Sequence, residues 1–324
     1  MQKKFAIGID LGGTNLRVAK ISAEGEIAAK IKEPTSEEVL GSINKAIDSL
    51  FSDDIAAVGI GVAGLVSKEG RRVIVSPNLH VVEKIDLAGE IGRRYGVPVA
   101  IENDANAAAY GEMWVGAGRE FQSFVLLTLG TGIGGGMVDR KKLLHVPAEI
   151  GHMSINADGE KCPCGNSGCL ESYASARAIL SRAVSFLEAG RESALMGHYE
   201  GNFYRLTTED IFRAALDGDT LARELWKNAG RHLGVGIAGI INLMGPDAII
   251  LAGGLTGAWD IYVQEAVKEA SRRSFRELFE KVAVIPSQLK DDAGLIGAAG
   301  IAFDFLSIKS DRADVEGKKF KEVV

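Results

Sequence analysis

Cysteine is scarce in this chain: three among 324 residues, all between positions 162 and 169. An odd, clustered set is no disulfide framework, which excludes a small secreted scaffold stapled by bridges and suits a reducing compartment. Excess basic charge is missing too, since 37 Lys and Arg stand against 43 Asp and Glu, a formal net charge of −6. The positive residues are scattered, so there is no footprint for a phosphate backbone, and general nucleic-acid binding is excluded. Long apolar runs are absent: the stretch from Leu233 to Pro246 falls well short of the roughly 20 apolar residues that span a bilayer as a helix. Met1 to Phe5 passes directly into a short apolar run ending at Asp10, without the long core and small-residue cleavage site of a secretory leader. The expected setting is the cytoplasm, with no membrane association.

What is present is an ordinary globular composition, 46% hydrophobic. A chain of this length is near the limit of a single core, so two lobes and a cleft are expected. Lys4 to Asp10 reads as a buried strand stopping at Gly12-Gly13-Thr14. Asn15 to Ile21 alternates as a second strand, and the turn Ala23-Glu24-Gly25-Glu26 leads to a third ending near Ile31, an antiparallel meander. Thr35 with Glu38 three residues on predicts a capping box for a helix whose apolar positions are Val39, Leu40, Ile43, Ile47 and Leu50. Ile55 to Ile60 and Val97 to Ile101 are strands on either side of a helix from about Asp86 to Tyr95.

The pattern then repeats. Phe124 to Leu129 is a buried strand running into Gly130-Thr131-Gly132-Ile133-Gly134, and the chain returns as its partner through Met137 and Val138. A strand, a Gly/Thr turn and a returning strand thus open both halves, which reads as an internal duplication. Helices are expected near 170–188, 208–216, 219–243 and 259–279, with strands over Ala248 to Leu251 and Val282 to Ile285 and a last apolar helix over Ala293 to Leu306. The predicted class is α/β with mixed sheets. Residues 1–115 with 293–306 form one lobe, 116–292 the other, and 307–324 a charged tail.

Three Gly/Thr turns follow buried strands, at Asp10-Leu11-Gly12-Gly13-Thr14, at Thr131-Gly132 and at Gly253-Gly254. Glycines let backbone N–H groups approach an anion, and a threonine hydroxyl adds a donor for phosphate oxygens. None fits the P-loop pattern, and the turn after Leu129 is followed by a strand where a dinucleotide fingerprint needs a helix. Asp10 has two readings: a magnesium ligand, direct or through water, or a cap of its turn. His152, Cys162, Cys164 and Cys169 offer one imidazole and three thiols in a Gly-rich loop, the donor set of a tetrahedral zinc. Four protein ligands leave no open position, so the ion is structural, pinning the loop that carries Glu171. Glu102-Asn103-Asp104-Ala105-Asn106 lies where a strand gives way to a helix, so Asp104 reads either as an N-cap or as a functional carboxylate at a strand's carboxyl end. Asn103, Glu149, His152 and Glu171 add an amide, carboxylates and an imidazole suited to a neutral polyhydroxylated ligand, a sugar.

Together, Cys162-x-Cys164-Gly-x-x-Gly-Cys169-x-Glu171, Glu149-x-Gly-His152, Asn103-Asp104 and Asp10-x-Gly-Gly-Thr14 resemble the ROK family of bacterial sugar kinases and related repressors, over about residues 5–305. The resemblance implies a two-lobed, duplicated ribonuclease-H-like fold of the actin-like ATPase kind with an inserted zinc loop. It implies an ATP-dependent hexose kinase acting at the primary hydroxyl, D-glucose foremost, with N-acetylglucosamine, N-acetylmannosamine or fructose as alternatives. Asp104 would be the catalytic base, and Gly64, Asn78, Asn103, Glu149, His152 and Glu171 would line the sugar site. Asp10, Gly12, Gly13, Thr14, Thr131, Gly132, Gly253 and Gly254 would hold ATP with Mg2+, and zinc would be structural. A homodimer or homotetramer is also implied, consistent with the apolar helix around 219–243. One departure stands out: after Asn78-Leu79 the chain continues His80-Val81-Val82 where related glucokinases often have Gly-Trp, so this motif leaves the sugar open. The rival from another class is a sugar-responsive repressor, which needs a DNA-reading helix-turn-helix; only Met1 to Ile9 precede Asp10, and 307–324 has no helical pattern.

Overall fold

The computed structural model describes residues 4–306 apart from 68–69 and 77–78. Asn78 and the tail 307–324 therefore lie outside the described residues. In chain order the elements begin with β1 (Phe5–Leu11), β2 (Asn15–Ser22), β3 (Ile27–Pro34), α1 (Val39–Leu50) and β4 (Ile55–Val62). They continue with β5 (Leu65–Val66), β6 (Val73–Val75), α2 (Leu87–Tyr95), β7 (Val99–Asn103) and α3 (Asp104–Val115). After these come β8 (Phe124–Leu129), β9 (Ile133–Asp139), β10 (Lys142–Leu143), α4 (Glu171–Ala174), α5 (Ala176–Glu188), α6 (Thr208–Leu216) and α7 (Thr220–Met244). The chain closes with β11 (Ala248–Ala252), α8 (Gln264–Arg273), α9 (Arg276–Phe279), β12 (Ala283–Pro286) and a helix over 293–306, here α10.

Two units divide the chain: Met1–Gln122 with Gly136–Pro147 and Ser287–Val324, and Ser123–Gly135 with Ala148–Pro286. One sheet has the order β3-β2-β1-β4-β7 and another the order β10-β9-β8-β11-β12. In each, a three-stranded meander is extended by two further strands, and β4, β7, β11 and β12 run parallel to their neighbours. The identical order is the duplication expected from the repeated turns. In the first sheet, the registers Asp10↔Gly61 and Gly61↔Glu102 bring the carboxyl ends of β1, β4 and β7 to one edge, where ligands of open α/β sheets bind.

The first sheet is covered on both faces because its central strands β1 and β4 are apolar on both, whereas β3 is largely exposed. Ile7, Ile9, Leu11 and Val18 pack in one buried cluster with Ile43 and Ile47 of α1 and Ile91 of α2. Ala6, Ala19, Ile21 and Ala57 pack in another with Leu295, Ala299 and Ala302 of α10. Small residues predominate there, which lets α10 approach the sheet closely. Among the described residues no helix is long and apolar enough to cross a membrane.

Four local expectations are corrected. The Thr35/Glu38 capping box does not form: Glu38 is the N-cap of α1 without a side-chain bond, and the Thr35 hydroxyl instead donates to the Gly12 carbonyl at 2.7 Å. The helix expected over 170–188 breaks at Ser175, whose extended backbone and hydroxyl cap α5. That over 259–279 ends at Arg273, where Ser274 turns extended before α9. Residues 136–147, assigned from the sequence to the longer lobe, fall in the first unit. There the Lys141 N–H bonds the Gln122 carbonyl and the Asn106 amide bonds the Val146 carbonyl.

Candidate active site

Asp104 is the first residue of α3, but it is not the cap. Asn103, extended at φ −61° and ψ 144°, accepts the N–H groups of Ala105 and Asn106 at 2.9 and 3.1 Å. With the cap supplied one residue earlier, the Asp104 carboxylate is half-buried and accepts the Ala105 N–H at 2.8 Å. The N-cap reading of Asp104 therefore fails. The Asn103 Nδ2 donates to the Gly64 carbonyl at 3.0 Å, which ties the loop after β4 to the start of α3. Gly64 has φ +134°, and a Cβ there would lie 2.1 Å from the Val75 carbonyl oxygen, so only glycine fits.

The first Gly/Thr turn joins β1 to β2, with Gly13 and Thr14 exposed at its tip and Thr35 buttressing its base. Asp10 sits opposite Arg17 in the antiparallel register and is ion-paired with it. Burial pushes the Asp10 carboxyl up, Arg17 opposes that, and Asp291 and Asp292 add to it. A Cβ on Gly294, in the first turn of α10, would lie 3.7 Å from both Asp10 Oδ2 and the Asp104 carbonyl oxygen. Asp10 and Asp104 thus flank one helix end, and the carboxylate expected to take a magnesium ion already balances a cation.

In the second unit, Gly130 N–H bonds the Gly132 carbonyl to close the turn between β8 and β9. The Ile133 N–H then donates to Glu171 Oε2 at 2.8 Å, and a Cβ on Gly132 would collide with that oxygen at 2.3 Å. Glu171 is therefore locked against the second Gly/Thr turn. Gly253, at φ +95°, packs so tightly that a Cβ would stand 2.4 Å from the Leu129 carbonyl oxygen. Gly254 is different: a Cβ there would meet no atom within 4 Å.

His152 ends a short 3-10 turn over Ile150–His152. Its Nδ1 lies 3.7 Å from Cys162 Sγ, Cys164 and Cys169 are 3.7 Å apart through their sulfurs, and all four ligand atoms fall within 4.8 Å of one another. A zinc tetrahedron with bonds of about 2.3 Å to sulfur has edges of about 3.8 Å, so the donor set fits a zinc ion. Burial resists ionisation of Cys162, but the Cys164 amide and neighbouring hydroxyl and thiol groups outweigh it and bring that thiol down to about 7. The other ring nitrogen of His152, Nε2, lies 3.9 Å from Glu149 Oε2. Burial pushes the Glu149 carboxyl up, His152 opposing and Glu171 reinforcing.

Arg17 and His145 join these sets without having been singled out in the sequence, and Thr35, Glu102 and Asn106 in roles not read there. Arg17 was legible in principle, since counting the β1–β2 meander across its turn pairs it with Asp10. Nothing in the sequence pairs Glu102 with His145.

The ROK family model matches residues 6–304, and the chain belongs to the ROK family. It is similar to the glucokinase of Thermotoga maritima, 37% identical over 317 residues that cover 93% of this chain and 98% of that one. Its fold is similar to that of a ROK family glucokinase from Streptomyces griseus whose crystal structure is in complex with glucose and AMPPNP: TM-score 0.82, 35% identity, 93% of this chain and 99% of that one. The xylose repressor of Bacillus subtilis is also similar, 29% identical over 314 residues, 93% of this chain and 77% of the repressor.

Proposed function

We propose that this ROK protein, an ATP-dependent sugar kinase, transfers the γ-phosphoryl group of ATP to the primary hydroxyl of a hexose, with D-glucose the preferred acceptor. The observation that carries the reading is Asp104: a half-buried carboxylate at a strand's carboxyl end, relieved of capping by Asn103, on a residue whose backbone carbonyl flanks the same helix end as the Asp10 carboxylate. The similarity to glucokinases over nearly the whole chain supports glucose, and N-acetylhexosamines and fructose are the alternatives.

In this reading Asp104 accepts the hydroxyl proton as the bond to phosphorus forms, an effect on the order of 10²- to 10⁴-fold. An ordinary carboxylate is too weak to deprotonate a free alcohol, so the proton moves late. Asn103 has one amide hydrogen left to offer a hydroxyl, while Gly64, Glu149, His152 and Glu171 line the acceptor, as does Asn78. The turns at Gly12, Gly13 and Thr14, at Thr131 and Gly132, and at Gly253 and Gly254 hold the nucleotide. When bound, Mg2+ would supply neutralisation of phosphate charge, and Asp10, while paired with Arg17, would hold it directly or through water. His152, Cys162, Cys164 and Cys169 would hold a structural zinc.

The decisive assay is ADP release across a panel of hexoses and acetylated hexosamines. Turnover highest with D-glucose is expected; a panel without turnover above background overturns the kinase reading and returns the repressor reading. A second test separates ligand from fold at Gly254. Space around it accepts a Cβ, so Gly254→Ala should leave the melting temperature nearly unchanged while raising KM for ATP by about tenfold, since a methyl-sized misfit costs about 1–3 kcal/mol. Unchanged KM for ATP would remove Gly254 from the nucleotide site.

A further inference from the structure

Glu102 closes β7 immediately before the Asn103-Asp104 pair, and the proposed chemistry gives it no role. Its side chain is only 13% exposed, yet it carries three contacts. Oε1 accepts the Asn103 N–H at 2.9 Å and the Asn106 Nδ2 at 3.1 Å. Oε2 accepts His145 Nδ1 at 2.7 Å. The Asn106 amide gives its other hydrogen to the Val146 carbonyl at 3.1 Å, so residue 145 is clipped to the end of β7 and residue 146 to the first turn of α3. Turning that amide over would set its oxygen against both the Glu102 carboxylate and the Val146 carbonyl, which fixes its orientation. Asp104 lies inside this frame: the residue before it is held through its backbone N–H, and the residue two after it through its side chain.

We propose that Glu102 and His145 are a positioning pair that sets the peptide carrying Asn103 and Asp104, with His145 as its proton-sensitive member. His145 is 64% exposed at its side chain, so solvent protons reach it while its partner stays sheltered. Burial pushes the Glu102 carboxyl up, but His145, Asn106 and the Asn103 N–H outweigh that and hold it below the ordinary carboxylate value. The Glu102 hydrogen bond in turn holds His145 above the ordinary imidazole value, against burial. Asp304 on α10 adds to that rise and is itself bonded to Tyr110 of α3.

The signs follow. A carboxyl held low stays ionised until the pH falls below its ordinary range, and an imidazole held high keeps its proton above its own. The charged pair is complete between those limits and is lost on the alkaline side, as pH rises through the raised His145 value. What remains there is a neutral imidazole N–H donated to the ionised Glu102 carboxylate, without the attraction between two opposite charges. The peptide bearing Asp104 is then held less firmly.

The kinetic part of this inference rests on Asp104 being the base, so its test has one arm that does not. Asn places a neutral donor where His145 Nδ1 stands and never becomes charged. His145→Asn should lower kcat about three- to tenfold at about pH 6, approach the wild type at about pH 9, and leave KM for ATP within about twofold. Glu102→Gln should lower kcat about tenfold across the range. A purely structural pair would lower thermal stability and leave the shape of the pH profile alone. The independent arm is an imidazole NMR titration of the full chain with amide hydrogen exchange. His145 should titrate above the ordinary imidazole value in the wild type and return toward it in Glu102→Gln, with faster exchange at residues 103–108. An ordinary His145 titration in the wild type, unchanged exchange at 103–108 in Glu102→Gln, or an unaltered pH profile in His145→Asn overturns the pairing. A wild type without turnover but with the raised titration and faster exchange upholds the pairing and removes only the kinase reading.

Discussion

Asp104→Asn should lower turnover by at least about 10²-fold while leaving the fold intact. The two halves of that expectation have separate grounds. Stability should be preserved because the helix is capped by Asn103, and one contact Asp104 makes to its own helix, Oδ1 accepting the Ala105 N–H at 2.8 Å, is one an amide oxygen also makes. Asn is in any case about as good as Asp at a helix start. Turnover falls because the amide keeps shape and hydrogen bonding to the acceptor but takes no proton. KM for the sugar should change much less than kcat, the signature of an interaction made only in the transition state. Steady-state kinetics and a thermal melt on the same preparation check it. A variant retaining more than about a tenth of wild-type turnover rejects Asp104 as the base.

The contrast between Asn103 and Asp104 also shows where sequence reasoning runs out. That a carboxylate or a cap stands at the start of α3 is legible, because Asn and Asp both favour helix starts and the preceding strand is apolar. Which of two adjacent polar residues caps depends on one residue of helix phase, and periodicity does not resolve boundaries that finely. The strands and turns of both halves were legible for a better reason: an apolar run ending in Gly and Thr has few ways to continue. Thr35 is the opposite case, since its hydroxyl had a capping partner nearby in sequence and took the Gly12 carbonyl, which β3 brings near only after the meander folds. Glu102 and His145 are 43 residues apart, and no local preference records such a contact. The metal set was the most legible feature, because its donors lie close together in the chain and their chemistry is specific.

That metal set carries the other large effect. The wild-type protein should contain one zinc per chain, and Cys164→Ser should lose it. Cys164 is the exposed thiol of the set, while Cys162 and Cys169 are buried, so removing it opens the tetrahedron on its solvent side. A serine hydroxyl at this position is a poor ligand at neutral pH, and ligand loss at a structural site forfeits much of a binding energy that is also folding energy. For a unit of this size each kcal/mol lost shifts the melting temperature by about 2–4 °C, so a fall of about 10 °C or more is expected. Function should follow the loop. Glu171 is two residues beyond Cys169 and holds the Ile133 N–H, while Glu149 lies 3.9 Å from the imidazole whose other nitrogen faces Cys162. Without the ion both carboxylates lose their common anchor, so KM for the sugar should rise about 10- to 100-fold, the range seen when residues that orient a metal site are altered. KM for ATP should rise less, through the Glu171 contact alone. Elemental analysis, calorimetry and sugar-dependent kinetics measure the three effects. Zinc-free wild-type protein prepared without chelators, or full activity in a zinc-free Cys164→Ser, would show that the ion does not organise the acceptor side.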